Sequence, residues 1–242
     1  MLLHTRGIVF RSIRYGETSA IADIFTEEKG LRSFIGGGVR TPKSRMPFGL
    51  FQPMMVVDLV AYFRDADDHL NRLKEMRAAE VFVRIPFDIR RGAVALFMAE
   101  ICRKSIHAGE ENPGLFAFIL DHLHRLDTTD EPIANLHLHF LLHLAGFLGF
   151  QPQYEPGNEL FFDLKEGVFL PVPPPHPLCL EPAHAMLLLE LLQTPLEDCH
   201  HIALGRPERK ALLGGLLQFY QLHMPGFSDI HTPEILELVM EA

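Results

Sequence analysis

Cysteine is scarce in this chain, which has only three among 242 residues, and they are far apart. A small, odd number of this kind suits reduced thiols in a cytoplasm better than a disulfide framework. The chain also lacks any run close to the roughly 20 consecutive apolar residues that a membrane helix needs. Its first residues contain no apolar core of signal-peptide length. We therefore expect a soluble cytoplasmic protein that is neither exported nor inserted into a membrane.

Acidic residues are missing from one basic stretch. Residues 29–45 (KGLRSFIGGGVRTPKSR) contain five Lys or Arg, three consecutive glycines and no acid, although the whole chain has a net charge of −9. The first 57 residues carry +4, from eight basic and four acidic residues, which leaves −13 for the remainder. Such asymmetry indicates nucleic-acid contact by the basic part, although a solvated charged face produces the same pattern.

Hydrophobic periodicity divides the chain into a β part and a helical part. Alternating apolar residues, separated by turn signals, predict five short strands at 4–14, 19–26, 31–35, 53–63 and about 69–76. Five strands in so short a stretch predict an OB-fold, a five-stranded barrel that binds oligonucleotides. Apolar residues at three- and four-residue spacing then predict helices at 87–107, 113–126, 132–149, 182–193, 207–223 and 233–240.

These patterns predict an α+β, multi-domain protein. An N-terminal OB-fold β-barrel occupies residues 1–79 and an α-helical domain occupies residues 80–242. Within the helical domain, residues 151–177 contain two short apolar segments around Glu166 and Gly167, which predict a small β-hairpin insertion.

The glycines of the basic stretch raise the possibility of a nucleotide-binding loop. Residues 37–44 resemble the phosphate-loop pattern, but Pro42 stands where that loop needs glycine and has no N–H to offer a phosphate. We therefore exclude nucleotide hydrolysis. The glycines instead favour a loop that follows a nucleic-acid backbone, with Arg40, Lys43 and Arg45 spaced for successive phosphates. In the turn at residues 14–17, Tyr15 is the best candidate for stacking on a base.

Several blocks of the sequence match one known family. The chain resembles the bacterial RecO recombination mediators over essentially its whole length, in the blocks 14–19 (RYGETS), 25–30 (FTEEKG), 36–45 (GGGVRTPKSR), 50–53 (LFQP), 144–152 (LAGFLGFQP) and 220–227 (YQLHMPGF). The blocks have the right order on a barrel-then-helices layout.

The resemblance implies a cytoplasmic, nucleoid-associated DNA repair protein of the RecF pathway. Such proteins bind single- and double-stranded DNA and anneal complementary strands. They contact the acidic C-terminal tail of single-stranded DNA-binding protein and act with RecR to help load RecA. No cofactor and no covalent catalysis are implied. The resemblance places the phosphate backbone at Arg14, Lys29, Arg40, Lys43 and Arg45, and charge alone adds Arg32.

The chain departs from the family where many members carry a four-cysteine zinc site. Residues 151–177 contain no cysteine, and a tetrahedral site needs four ligands. Cys179 with His176, or Cys199 with His200 and His201, could form a site only if distant segments met. We expect aromatic packing by Phe161, Phe162 and Phe169 in its place.

Histidines in the helical domain leave a second function class open. His139 and His143 stand four apart near His137, a spacing that can place two imidazoles on one metal. No acid lies between them as the HExxH pattern requires, and the helix is mainly apolar. A metal-dependent enzyme using this cluster is the alternative to a DNA-binding mediator.

A partner's acidic tail with apolar end residues needs a hydrophobic groove with a few cations at its rim. The helical domain offers few cations, and Arg103, Lys104 and Arg125 are our candidates. A solvated helix face explains the same residues.

Overall fold

The structure is a computed structural model, and it describes residues 1–41, 44–66, 69–109, 111–157, 160–227 and 230–241. Backbone packing divides the chain into two compact units, Met1–Asp127 and Thr128–Ala242. Within the described residues, the first unit holds a five-stranded barrel and two α-helices, and the second holds a small sheet and four α-helices. The division of the chain at residue 79, taken from sequence patterns, stays a prediction.

The N-terminal strands close into a barrel in the order β1-β2-β3-β5-β4, which confirms the predicted OB-type fold. The strands are β1 Leu2–Tyr15, β2 Ser19–Thr26, β3 Gly30–Gly36, β4 Val56–Tyr62 and β5 Asn71–Ala78. Closure depends on the length of β1, since its first half pairs with β4 and its second half pairs with β2, both antiparallel. A short parallel contact between β3 and β5 completes the ring.

Alternation along the strands places one set of side chains in the barrel core. Ile24 on β2 and Phe34 on β3 have no solvent exposure, and neither does Phe51 between β3 and β4. The strand residues that alternate with Ile24 and Phe34 face outward. Gly7 lies where β1 passes from one partner strand to the other, and a Cβ there would stand 2.5 Å from Ile24 Cγ2. Glycine is therefore needed for β1 to pass this close to β2.

The helices agree with the predicted periodicity, apart from their ends. They are α1 Ile89–Ser105, α2 Pro113–Thr128, α3 Leu136–Phe147, α4 Pro182–Gln193, α5 Arg206–His223 and α6 Thr232–Glu241. α3 begins four residues after the predicted start, and the amide of Asn135, the residue before it, donates to the carbonyls of Cys199 and Ile202 at 2.9 and 3.0 Å. None of the helices in the described part of the chain is long and apolar enough to cross a membrane.

The predicted hairpin insertion is part of a three-stranded sheet. β6 Phe161–Asp163 pairs with β7 Val168–Leu170 and also with β8 Cys179–Leu180. A two-residue strand has no periodicity, so β8 could not be predicted. The Phe162 ring lies 4.8 Å from Phe169 and 5.5 Å from Phe219 on α5, centroid to centroid. Aromatic packing therefore joins this sheet to the helices of its unit.

Candidate nucleic-acid interface

The end of β1, beside the turn into β2, presents a cation and an aromatic ring to solvent. Tyr15 pairs with Ser19 across the hairpin, and Gly16 has a φ of +59°, a left-handed conformation that favours glycine. Adjacent strand residues point to opposite faces, yet Arg14 and Tyr15 are both exposed, the latter at 55%. The tip of the hairpin thus projects beyond the barrel core.

The segment after β3 folds back against this turn. The Arg40 main-chain N–H donates to the carbonyl of Thr18 at 3.1 Å, and its Nη1 donates to the carbonyl of Glu17 at 3.1 Å. A guanidinium has five N–H donors, so these contacts leave the exposed Arg40 side chain with donors for an anion. Arg40 is thereby brought to the same end of the barrel as Arg14 and Tyr15.

Two of the three glycines before Arg40 cannot be replaced by a larger residue without strain, each for a different structural reason. A Cβ at Gly36 would stand 2.8 Å from the Phe51 ring and 2.9 Å from Val39 Cγ1, so only glycine fits against this part of the core. Gly38 has a φ of +68°, which an L side chain rarely adopts. The glycines thus set the path of the chain that returns Arg40 to the hairpin.

Two basic residues of the predicted set are engaged within the protein. Lys29 pairs with Glu111, whose hydrogen bond raises the pKa of the ammonium group. The Arg32 side chain is 4% exposed, and its Nη2 lies 2.7 Å from Asp65 Oδ1. Burial and this ion pair leave the Arg32 guanidinium little access to a phosphate outside the barrel. Charge in the sequence does not reveal burial, and a part for Arg32 in DNA binding stays a prediction.

Two basic residues of the stretch remain, Lys43 and Arg45. Lys43 lies outside the described residues. Arg45 is exposed and lines a groove of about 1030 Å³ over β1, β4 and β5. Four cations and four acids line this groove, and they include an Arg6–Glu27 pair at 2.9 Å. Charge compensation makes the groove a poor match for a phosphate chain.

A second groove on the barrel was not predicted from the sequence. It measures about 680 Å³ and is lined by residues from the start of β1, the end of β4 and the start of β5. No acid is among its described lining residues, which include Tyr62, Arg64 and Arg72. The alternation of apolar residues in β4 could have predicted that Tyr62 faces outward. The pairing of β4 with β5, which places Arg72 beside Tyr62, could not be predicted from the sequence.

The cations predicted for partner binding lie at helix ends. Arg103 and Lys104 are in the last turn of α1 and Arg125 is in the last turn of α2, and all three are half-buried. Cations in the last turn stabilise a helix through its dipole. This structural role accounts for their position, and their part in partner binding stays a prediction.

A cavity in the second unit combines apolar and cationic side chains. It has a volume of about 340 Å³ and lies between α5 and α6, with His137 of α3 at its wall. Its apolar lining includes Leu213, Leu236 and Met240, and its cations are Arg206, Arg209 and Lys210. Lys210 Nζ lies 2.8 Å from Glu237 Oε2.

The histidines of α3 are held by the protein itself. His139 Nε2 lies 3.1 Å from the carbonyl of Thr194, and His143 Nε2 lies 3.4 Å from that of Leu191. Burial lowers the pKa of His143, and burial together with Arg209 lowers the pKa of His137 to about 4. No group of three or more His, Cys, Asp or Glu in the described ranges could hold a metal ion. The metal-enzyme alternative gains no support.

Comparison with known proteins matches nearly the whole chain. Residues 1–82 match the family model described as Recombination protein O N terminal, and residues 86–228 match Recombination protein O C terminal. Three similar proteins named DNA repair protein RecO come from Phocaeicola vulgatus (33% identical over 238 residues, 98% of each chain), Bacteroides fragilis (34% over 241, 98% of each) and Flavobacterium psychrophilum (32% over 241, 99% of each).

The barrel, the helical region and these matches define a class: a bacterial DNA repair protein built on an OB-type barrel. Within that class the chain belongs to the RecO family. The resemblance predicted from the sequence blocks is confirmed.

Proposed function

We propose that this protein is a recombination mediator of the RecF pathway without covalent catalysis. It binds single- and double-stranded DNA through the barrel and anneals complementary strands. Together with RecR it helps to replace single-stranded DNA-binding protein with RecA. In the cell it is cytoplasmic and nucleoid-associated.

One observation carries the DNA-binding part of this proposal. The hydrogen bonds from Arg40 to the carbonyls of Glu17 and Thr18 tie it to the hairpin that bears Arg14 and Tyr15. Two guanidinium groups and an exposed ring at one end of a barrel match the combination of phosphate contacts and base stacking that single-strand binding uses. Lys43 and Arg45 extend the proposed contacts along the following segment, and Lys29 contributes only if its pair with Glu111 opens.

Salt dependence of binding tests this proposal. Each phosphate contact to a single strand contributes about −0.7 to the slope of log K against log salt concentration. The double variant Arg40→Ala with Lys43→Ala should bind a single-stranded oligonucleotide more weakly, with a slope smaller by about 1.4. The double variant Arg103→Ala with Lys104→Ala, outside the barrel strands, is the matched loss of two cations and should leave the slope unchanged. Wild-type binding that is independent of salt would refute the proposal.

The proposed docking of the acidic tail of single-stranded DNA-binding protein has two candidate positions. Arg103, Lys104 and Arg125 are cations at helix ends, whereas the cavity between α5 and α6 adds an apolar lining to its cations. A tail that ends in apolar residues after a run of acids fits the cavity better. Within this proposal an incoming carboxylate competes with Glu237 for Lys210.

Annealing of complementary strands coated with single-stranded DNA-binding protein tests the mediator role directly. The wild-type protein should accelerate annealing, and the Arg40→Ala, Lys43→Ala variant should do so less. A free peptide with the sequence of the acidic tail should inhibit the reaction by competition. Annealing at the uncatalysed rate with wild-type protein would contradict the mediator role.

A further inference from the structure

One row of outward-facing residues crosses all five strands of the barrel. Ile13 pairs with Ile21, and Ile21 pairs with Ile35. The row continues from Ile35 to Arg72 on β5, to Tyr62 on β4, and to Leu2 on β1. Strand spacing of about 4.8 Å places Tyr62 about 19 Å from Ile13 along the surface. The row thus leads from the hairpin tip to the second groove.

Tyr62 is an exposed aromatic residue in the lining of this groove. Its side chain is 56% exposed, and the neighbouring Leu2 and Leu70 are 42% and 36% exposed. Across the inward face of the same strands, Ala61 and Leu73 are buried in the barrel core. The Tyr62 ring therefore contributes little to the core, and it presents an accessible aromatic surface to solvent.

Cations surround this ring. Arg72 is its cross-strand partner, and Arg64 lies two residues beyond Tyr62, where β4 ends. Neither Arg64 nor Arg72 makes a side-chain ion pair within the described part of the chain. Lys74, also in the groove, lies 3.8 Å from Glu75. Unlike the groove beside Arg45, this one has cations and no acid among its described lining residues.

We propose that Tyr62 is a stacking platform for a base of single-stranded nucleic acid, with Arg64 and Arg72 holding the phosphates on either side. The inference rests on the proposed function and assigns it a second contact site beyond the hairpin tip. Aromatic rings flanked by cations are the combination that binds single strands without sequence preference. Bases in a duplex are already stacked on their neighbours, so Tyr62 favours single strands over duplexes.

The row of residues explains how one strand can reach both contacts. Single-strand sites on OB-folds cover about 4–16 nucleotides, which is enough to span the distance of about 19 Å estimated from strand spacing. The half-buried Ile21 and Ile35 lie between the two ends. A strand that binds at Arg14 and Tyr15 would then cross this apolar part and end on Tyr62.

The test compares Tyr62→Ala with Tyr62→Phe. Removing the ring should weaken binding to a single-stranded oligonucleotide by about 5- to 140-fold, the range for loss of one stacked base. Tyr62→Phe keeps the ring and should bind within about 2-fold of wild type. Both variants should bind an abasic oligonucleotide of equal length, and a duplex of equal length, as wild type does. Equal melting temperatures of the variants would establish that the barrel is intact.

Three results would overturn the inference: unchanged binding of the Tyr62→Ala variant to the base-containing strand, an equal loss on the abasic strand, or an equal loss in Tyr62→Phe. In each case the hairpin tip could still bind DNA, so the proposed function would stand. A wild-type protein that binds no nucleic acid would instead refute the proposed function. As a second measurement, Arg72→Ala should reduce the single-strand salt slope by about 0.7, on the abasic strand as well.

Discussion

Acid should destabilise this protein through His137. This side chain is 4% exposed on α3, and burial with the nearby positive charge of Arg209 lowers its pKa from 6.5 to about 4. Between these two pH values the unfolded chain binds a proton at this position and the folded protein does not. Stability therefore falls as pH drops through this window and is fully present above pH 6.5. At 1.36 kcal/mol for each pKa unit, the whole window is worth about 3 kcal/mol.

Urea unfolding at pH 7 and pH 4.5 measures this effect. A single group with these two pKa values should lower the free energy of unfolding by about 2 kcal/mol between the two conditions. His137→Gln removes the titrating group, so the free energy of unfolding of this variant should fall less than that of wild type between pH 7 and pH 4.5, by about the same amount. This comparison does not depend on the stability of the variant at pH 7. His201→Gln is the control and should behave as wild type does, since the His201 side chain is 71% exposed. An equal loss in wild type and His137→Gln would refute the reasoning.

Two further predictions concern the barrel unit. The buried Asp127 carboxylate accepts hydrogen bonds from the backbone N–H groups of residues 83–85 at 2.8–2.9 Å. Asp127→Asn should therefore lower the free energy of unfolding by about 1–3 kcal/mol. A change below about 0.5 kcal/mol in urea unfolding would contradict this prediction. Gly36→Ala would place a Cβ 2.8 Å from the Phe51 ring, and overpacking of this kind costs about 1–3 kcal/mol. The same variant should weaken DNA binding, because the path that returns Arg40 to the hairpin would shift. Unchanged melting and binding would show that the ring moves aside without cost.

The site could be predicted only in part, because charge and spacing in a sequence do not report burial or pairing. Tyr15 was predicted to lie in a turn, and it is exposed at the hairpin tip. Arg32 carries the same charge as Arg40, but it lies on the inward side of β3, where Asp65 pairs with it. Lys29 pairs with Glu111, which is 82 residues further along the chain. Contacts between residues so far apart in sequence depend on the closed barrel and on the helices that pack with it.

More of the fold than of the site could be predicted from the sequence. Alternation of apolar residues predicted the five strands, since a period of two follows directly from the geometry of an extended chain. The helices followed from spacings of three and four residues in the same way. β8 was missed because two residues are too few to show a period.

The sequence by itself determined the five strands and six helices, the basic stretch at residues 29–45 and the family, because these depend on local patterns and on the order of residues. Only the tertiary structure decided which cations face solvent. It also placed Tyr62 beside Arg72 and next to the row that leads to the hairpin tip. The physical reason is that strand register and barrel closure join residues that are distant in sequence, and no local pattern fixes which of them become neighbours.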